Sequence, residues 1–308
     1  MPEVILHHYP QSPVSEKVRV VLGIKGLDWR SVIIPRLPPK PDLVPLTGGY
    51  RLTPVMQLGA DIYCDSQCII RELERRFPEP SLFPGGSAGM VWGVSRWTDG
   101  ALFTTAIAVV FVDAGDAMPP EFWADRGMLY FGADYDQDAI RAKLPELLAS
   151  LRAQLGWMEQ WVATGRTYIL GESPGLPDAL CYYLLWFIRG RYSKGPEFLS
   201  QFPQLCAWER RIQAIGHGNP SDLSAAEALG IAEGAEPATP EAVDAEDPLG
   251  LAPGDTVEVR PEAMDGVPAV AGRLRALDPL TVVLDREDPR VGRVSVHFPR
   301  VGYRVLRG

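Results

Sequence analysis

Ser12-Pro13-Val14-Ser15-Glu16-Lys17 is the stretch that decides how the chain is read. It follows the short apolar run Val4-Ile5-Leu6 and opens a segment with Val14, Val18, Val21 and Leu22 at helical spacing, so a strand ends where a helix begins. Ser12 suits the N-cap, where its oxygen accepts a backbone N–H, and Pro13 suits the first helical position, where a missing N–H costs nothing. Gly26 predicts the stop. Outward from there, residues 29–34 predict a second strand, and a proline-rich loop over residues 35–45 leads to Leu52-Thr53-Pro54-Val55. Residues 55–58 and 62–64 predict a hairpin joined by Gly59-Ala60-Asp61. After Asp65, a helix from Ser66 puts Ile69, Ile70, Leu73 and Phe77 on one face and stops before Pro78.

Strand, helix, strand, then hairpin and helix, with a proline just before the third strand, resembles the thioredoxin-like N-terminal half of the glutathione transferase superfamily over residues 4–78. Each signal alone is ordinary cap or turn chemistry; their order and spacing carry the resemblance. It implies a cis Thr53–Pro54 bond. It also implies that the Thr53 N–H and C=O pair with the cysteinyl backbone of glutathione as an added strand. Ser66, at a helix N-terminus, would hold the γ-glutamyl carboxylate, and Asp65 would help fix the γ-glutamyl amine.

Ser12 falls where that superfamily keeps its thiol-activating residue, which makes it the expected catalytic residue. Ser15, one helical turn on, is its rival. A free cysteine thiol ionises near pH 8.5, so only a few per cent is thiolate at neutral pH. A hydroxyl donor at a helix N-terminus stabilises the thiolate, and each pKa unit is worth about 1.4 kcal/mol. A cysteine at position 12 would point to mixed-disulfide chemistry, which serine disfavours. Aligned with the tyrosine-type classes, the catalytic tyrosine would fall on His8, with Tyr9 one place off, so a serine-type site is favoured.

Residues 88–231 predict an all-helical domain. Ile140, Leu144, Leu147, Leu148, Leu151, Leu155 and Met158 form one apolar stripe, and residues 179–188 are apolar nearly all round, as in a buried central helix too short to span a bilayer. In the resembled family a Ser/Thr-x-x-Asp box caps that helix; here Gly175-Leu176-Pro177-Asp178 keeps the aspartate and loses the hydroxyl. Phe202-Pro203-Gln204-Leu205, Trp208 and Arg211 resemble a late helix of the same family, so the likeness covers about the first 230 residues. Trp92, Trp97, Phe103, Phe111 and Tyr130 are candidate walls for a small hydrophobic electrophile. Residues 118–137 read as a lid or an insertion.

Past residue 231 the composition changes. Residues 232–250 are rich in Ala, Glu, Asp and Pro and read as a linker between the helical domain and residues 251–308. That tail has five short alternating runs, at residues 256–260, 269–277, 280–284, 291–298 and 303–306, and predicts a small β-barrel-like domain. Residues 286–290 read as a solvated turn and His297 as part of a contact surface. The expected architecture is therefore a thioredoxin-like α/β domain over residues 1–80, an all-α domain over 88–231, and the β tail. Ordinary members of the family lack such a tail, which is the candidate seat of a protein partner.

A formal charge of −9, an isoelectric point near 5.1 and a tail with nine arginines against eight acids disfavour nucleic acid and anionic membranes as partners. The four cysteines lie in apolar elements without metal-ligand spacing, so reduced thiols, a cytoplasmic setting and no metal are expected. His7 and His8 are adjacent on a strand and must face opposite ways. The function expected is a glutathione transferase, with glutathione as co-substrate, that attacks a hydrophobic electrophile in a detoxifying alkyl or aryl transfer. The resemblance adds a homodimer. The alternative is a non-catalytic scaffold of the same fold.

Overall fold

The computed structural model describes residues 2–86 and 88–308. Its strands are β1 (Ile5–His8), β2 (Asp28–Ile33), β3 (Val55–Leu58), β4 (Asp61–Cys64), β5 (Asn219–Asp222), β6 (Ala242–Val243), β7 (Thr256–Pro261), β8 (Val270–Leu277), β9 (Thr281–Asp288), β10 (Gly292–Pro299) and β11 (Tyr303–Arg307). Its α-helices are α1 (Pro13–Ile24), α2 (Val44–Thr47), α3 (Ser66–Arg76), α4 (Ala88–Trp97), α5 (Phe103–Ala114), α6 (Pro120–Phe131), α7 (Gln137–Ala142), α8 (Leu144–Val162), α9 (Leu176–Arg191), α10 (Gly195–Leu199), α11 (Pro203–Ile215) and α12 (Ala225–Glu233). They fall into two compact units, one made of Met1–Ser15, Asp28–Arg76 and Asn219–Gly308, the other of Glu16–Leu27 and Phe77–Gly218.

The first unit is built on one sheet with the order β11-β7-β8-β9-β10-β4-β3-β1-β2-β5, with β6 added on β8. β1 and β2 are parallel, as two strands joined through a helix must be, whereas β3 runs antiparallel to both β1 and β4. Gly59, at φ 62, makes the tight turn of the β3–β4 hairpin. These elements follow the expected thioredoxin-like order. The tail runs expected to be strands are β7 to β11, and they form a sheet. That sheet is not set apart: β10 lies parallel to β4, with Ser295 opposite Asp61 and His297 opposite Tyr63. Without β10, the hairpin would end on a row of unpaired backbone groups, so the join satisfies β4 along its open edge.

Three details of the tail differ from the sequence reading. Residues 286–288 lie in β9, and the turn itself begins at Pro289. His297 is buried rather than a surface contact, with Nε2 2.8 Å from Asp61 Oδ1 and its ring stacked on Tyr63 at 4.2 Å. The segment read as a linker contributes β6 and docks on the same aspartate: the Ala238 N–H and the Thr239 hydroxyl each donate to the Asp61 carboxylate at 2.8 Å. Burial opposes ionisation of Asp61, yet the bonds from His297, Ala238 and Thr239 outweigh it and hold the carboxyl below its ordinary range. Strand β5, which carries no alternating apolar pattern, pairs with β2 along Asp28–Asn219 and lies exposed at the far edge.

His7 and His8 do face opposite ways. His7 meets Gln57 Oε1 at 2.9 Å and His8 meets Ser31 Oγ at 3.0 Å. Burial pushes His7 down to about 4, so it stays neutral at physiological pH.

The second unit is helical. Between α4 and α5 lies a π-helical turn, Thr98–Leu102, with Gly100 at φ −106, ψ −106. Tyr183 donates to Thr98 O and lies 2.9 Å from Asp99 Oδ1, while buried Lys17 reaches both Asp99 oxygens at 2.8 Å, so the irregular turn has its own polar partners. By length and composition the stretch Ala88–Ala114 could cross a membrane, which the sequence reading did not anticipate; half of its most apolar window is buried within the fold. The stripe read as one helix is split at Lys143, because Pro145 starts a new helix in its first turn. Residues 120–131 form α6, where a lid or insertion was expected; Pro120 opens it at a helix-tolerated position. His217 lies 2.9 Å from Glu16 Oε1.

Gly175 has a steric reason. A Cβ there would lie 2.8 Å from Leu82 O and 2.9 Å from Pro84 Cδ, so serine or threonine does not fit. Asp178 carries the cap alone, accepting from the N–H groups of Gly175 (2.9 Å) and Ile169 (3.1 Å) and from Trp208 Nε1 (2.8 Å). Asp178→Ala would strand the two buried donors of Gly175 and Trp208 and the part-buried one of Ile169, and a loss of about 3 kcal/mol in urea unfolding is expected. A loss under about 1 kcal/mol would show that water replaces the carboxylate.

Candidate functional site

Strand register gathers the site. His7 lies opposite Val55 and Val55 opposite Cys64, so the end of β1, the start of β3 and the end of β4 share one end of the sheet. Ser12 follows β1, Thr53-Pro54 immediately precedes β3, and Asp65-Ser66 immediately follows β4. Because β10 is parallel to β4, the turn Arg300–Tyr303 leaves the sheet at that same end. All of these segments belong to the first unit.

Ser12 is buried, 2% exposed, and is the N-cap of α1: its Oγ accepts the Ser15 N–H at 3.1 Å. A hydroxyl has one donor and two acceptor sites, so this bond leaves its proton to donate elsewhere. Ser15 is fully buried and its Oγ has no hydrogen-bond partner. The rivalry between the two serines thus persists in the structure, and an unpartnered buried hydroxyl is itself a feature that a ligand would satisfy.

The Thr53–Pro54 bond is cis, as the resemblance implies. Lys40, not singled out in the sequence, sits against it: its buried ammonium donates to Thr53 Oγ1 and to Arg51 O, both at 2.8 Å, and lies 5.8 Å from the Tyr9 ring centroid. The turn before β3 is therefore held from the side-chain direction. Asp65 is the non-glycine residue with positive φ (74) among the described residues, a conformation that aspartate tolerates better than most. Its Oδ1 accepts the Gln67 N–H at 2.8 Å and so caps α3. Ser66 is buried at the first position of that helix, where backbone N–H groups and the positive end of the helix dipole favour an anion.

The tail reaches the same place. Tyr303 Oη is 3.0 Å from Asp65 Oδ2 and 3.2 Å from Tyr50 Oη. A carboxylate only accepts, so Tyr303 donates to it and the Tyr50 hydroxyl is left to donate to Tyr303. Burial, then the Asp65 charge, pushes both phenols well above their ordinary value, so both remain protonated donors. Arg51 Nε donates to Gly266 O at 2.8 Å and Gln67 Nε2 to Val301 O at 3.4 Å, further ties between this end of the sheet and the tail. Cys64 and Cys68 flank Asp65-Ser66, but burial pushes their thiols up, which makes them poor nucleophiles.

Ser12, Thr53, Pro54, Asp65 and Ser66 are thus brought to one end of one sheet. Among the aromatic candidates, Phe103 and Phe111 are buried and packed edge-on against Tyr130 and, for Phe111, against Trp123 and Phe131. Trp97 packs against Trp157 and Trp161. What sequence reasoning missed is Lys40, Tyr50 and Tyr303. No local signal marks Tyr303, since only the β4–β10 register brings it to a residue 238 positions earlier.

Comparison with known proteins agrees with this fold. The family model for the glutathione S-transferase N-terminal domain matches residues 6–81, and that for the C-terminal domain matches residues 114–215. No curated protein matches the chain. Among solved structures, a GST-like protein from Pseudomonas syringae is 37% identical with a TM-score of 0.77, over all of both chains, the tail included. A Tau class glutathione S-transferase from mango, Mangifera indica, is 16% identical (TM-score 0.53, 69% of this chain and 89% of that one) and shares the fold alone. A glutathione transferase family member from Pseudomonas fluorescens pf-5, solved with two glutathione bound, is similar in the same limited way at 15% identity (TM-score 0.52, 69% and 89% covered). A fold with these two domains, and a full-length likeness at this identity, make the chain a member of the glutathione S-transferase superfamily.

Proposed function

We propose that the protein is a glutathione-dependent transferase that activates the thiol at Ser12 for attack on a small hydrophobic electrophile. The observation that carries the reading is the convergence, at one sheet end, of the α1 cap, the cis Thr53–Pro54 turn and the Asp65-Ser66 start of α3. Bound glutathione would supply the sulfur nucleophile, whose proton leaves on ionisation and whose electron pair forms the new bond to carbon as the leaving group departs. The chain's own part is positional and electrostatic. Ser12 donates its hydroxyl proton as a hydrogen bond to the thiolate, and the N-terminus of α1 adds a favourable partial charge. The Thr53 backbone pairs with the extended peptide, the Ser66 hydroxyl and N–H hold a carboxylate, and Asp65 receives an ammonium. The buried Ser15 hydroxyl, without a partner, fits a polar group arriving there. A cytoplasmic homodimer is the state expected of the family, and sedimentation of the full chain tests the second part of it.

The reading is tested by the ultraviolet absorbance of the glutathione thiolate, titrated with and without protein. Wild type should bind saturably and lower the thiol pKa by at least about one unit from 8.5. Ser12→Ala should cut the thiolate fraction near neutral pH roughly tenfold, and Ser15→Ala should leave it nearly unchanged. The opposite pattern would move the role to Ser15. Absence of binding would refute the transferase reading and leave a scaffold.

A further inference from the structure

We propose that Tyr303, supplied by the C-terminal extension, is a positioning residue for the α-amino-acid headgroup of the thiol substrate, acting through Asp65. The inference rests on the glutathione reading above and deepens it: the extension is part of how the site holds the γ-glutamyl end.

The argument starts from the carboxylate. Asp65 has a donor on each oxygen, the Gln67 N–H on Oδ1 at 2.8 Å and the Tyr303 hydroxyl on Oδ2 at 3.0 Å. Two donors on opposite oxygens fix the plane of the group, so an incoming ammonium meets an acceptor already oriented and loses less free energy in ordering it. Tyr303 is itself held: its ring packs on Phe298 at 5.6 Å between centroids and on Tyr50 at 6.5 Å, and the Tyr50 hydroxyl supports its oxygen. The turn before it is tied to α3 through Gln67 and Val301. A phenol kept only for packing would need no partner oxygen beyond one neighbour. Here it is aimed at the carboxylate of the α3 cap, which is half-buried. Parallel pairing of β10 with β4 makes this placement a property of the fold, since it brings the exits of both strands to the same end.

The test is isothermal titration of the full chain with glutathione and with cysteinylglycine, which keeps the thiol and lacks the γ-glutamyl headgroup. Tyr303→Phe retains the ring and removes the hydroxyl. It should weaken glutathione binding about 5- to 20-fold and leave cysteinylglycine binding unchanged. In an Asp65→Asn background the same change should have no further effect, and Tyr50→Phe should shift glutathione binding in the same direction by less. Unchanged glutathione binding in Tyr303→Phe, or an equal loss for both ligands, would overturn the role of Tyr303 while leaving the glutathione reading intact. A wild type that binds cysteinylglycine as tightly as glutathione would overturn it too. A wild type that binds neither would overturn the transferase reading itself and this role with it.

Discussion

Truncation after Asp247 should abolish cooperative folding of the first unit. The tail supplies β10, which fills the open edge of β4, and its side chains Val294, Val296 and Phe298 are essentially inaccessible to solvent. Burial of three such side chains is worth about 5 to 8 kcal/mol as an upper estimate. A typical domain has only about 5 to 15 kcal/mol of net stability. Loss of the strand also strands the β4 backbone groups and exposes Asp61, whose partners include His297, Ala238 and Thr239. Hydrogen exchange of the truncated chain should therefore show β3 and β4 unprotected, with loss of near-ultraviolet circular dichroism from Tyr50 and Tyr63. A truncated chain whose β3 and β4 amides stay protected would mean that the tail is an appendage, and the sheet join would be incidental.

The second large effect is at Asp61. Asp61→Ala should destabilise the full chain by about 2 to 3 kcal/mol, because it removes the acceptor of the buried His297 ring and of the part-buried Ala238 N–H and Thr239 hydroxyl at the junction of β4, β10 and the segment before β6. It should also change the pH dependence. The folded-state carboxyl is held below its ordinary value, so its stabilisation is fully present above that value, about pH 4, and is lost as pH falls through the lower folded value. Wild-type urea midpoints should fall between about pH 5 and pH 3, and in Asp61→Ala that acid limb should be shallower. A parallel acid limb in the two proteins would show that other carboxylates govern it.

The sequence made the thioredoxin-like half legible because its elements announce themselves locally. Ser12-Pro13 at a helix start, Gly26 at its end, the β3–β4 hairpin and the Asp65-Ser66 cap are each determined within a few residues, and each is found where it was read. The tail strands were equally visible, since alternation identifies a strand wherever it pairs. Which strand it pairs with is another matter. Nothing in residues 292–299 says that their partner is Asp61–Cys64, more than two hundred residues earlier, and a small self-contained barrel was the natural expectation. The same long-range pairing hid Tyr303 and turned His297 from a surface candidate into a buried partner of Asp61. The short strand β5, Asn-Pro-Ser-Asp, had no periodic signal at all. Gly175 looked like a weakened cap, and only the backbone of Leu82 and the ring of Pro84 explain why no side chain fits there.

The central claim is that the end of this sheet cradles one tripeptide thiol, with its sulfur at the α1 cap and its amino-acid headgroup at the α3 cap. A crystal structure of the full chain with glutathione tests it most directly. The predicted result is a sulfur within hydrogen-bond distance of Ser12 Oγ, peptide bonds to the Thr53 backbone, and the headgroup on Ser66 and Asp65 with Tyr303 still bonded to the carboxylate. Glutathione bound elsewhere, or reversed so that its glycine end meets Ser66, would contradict it.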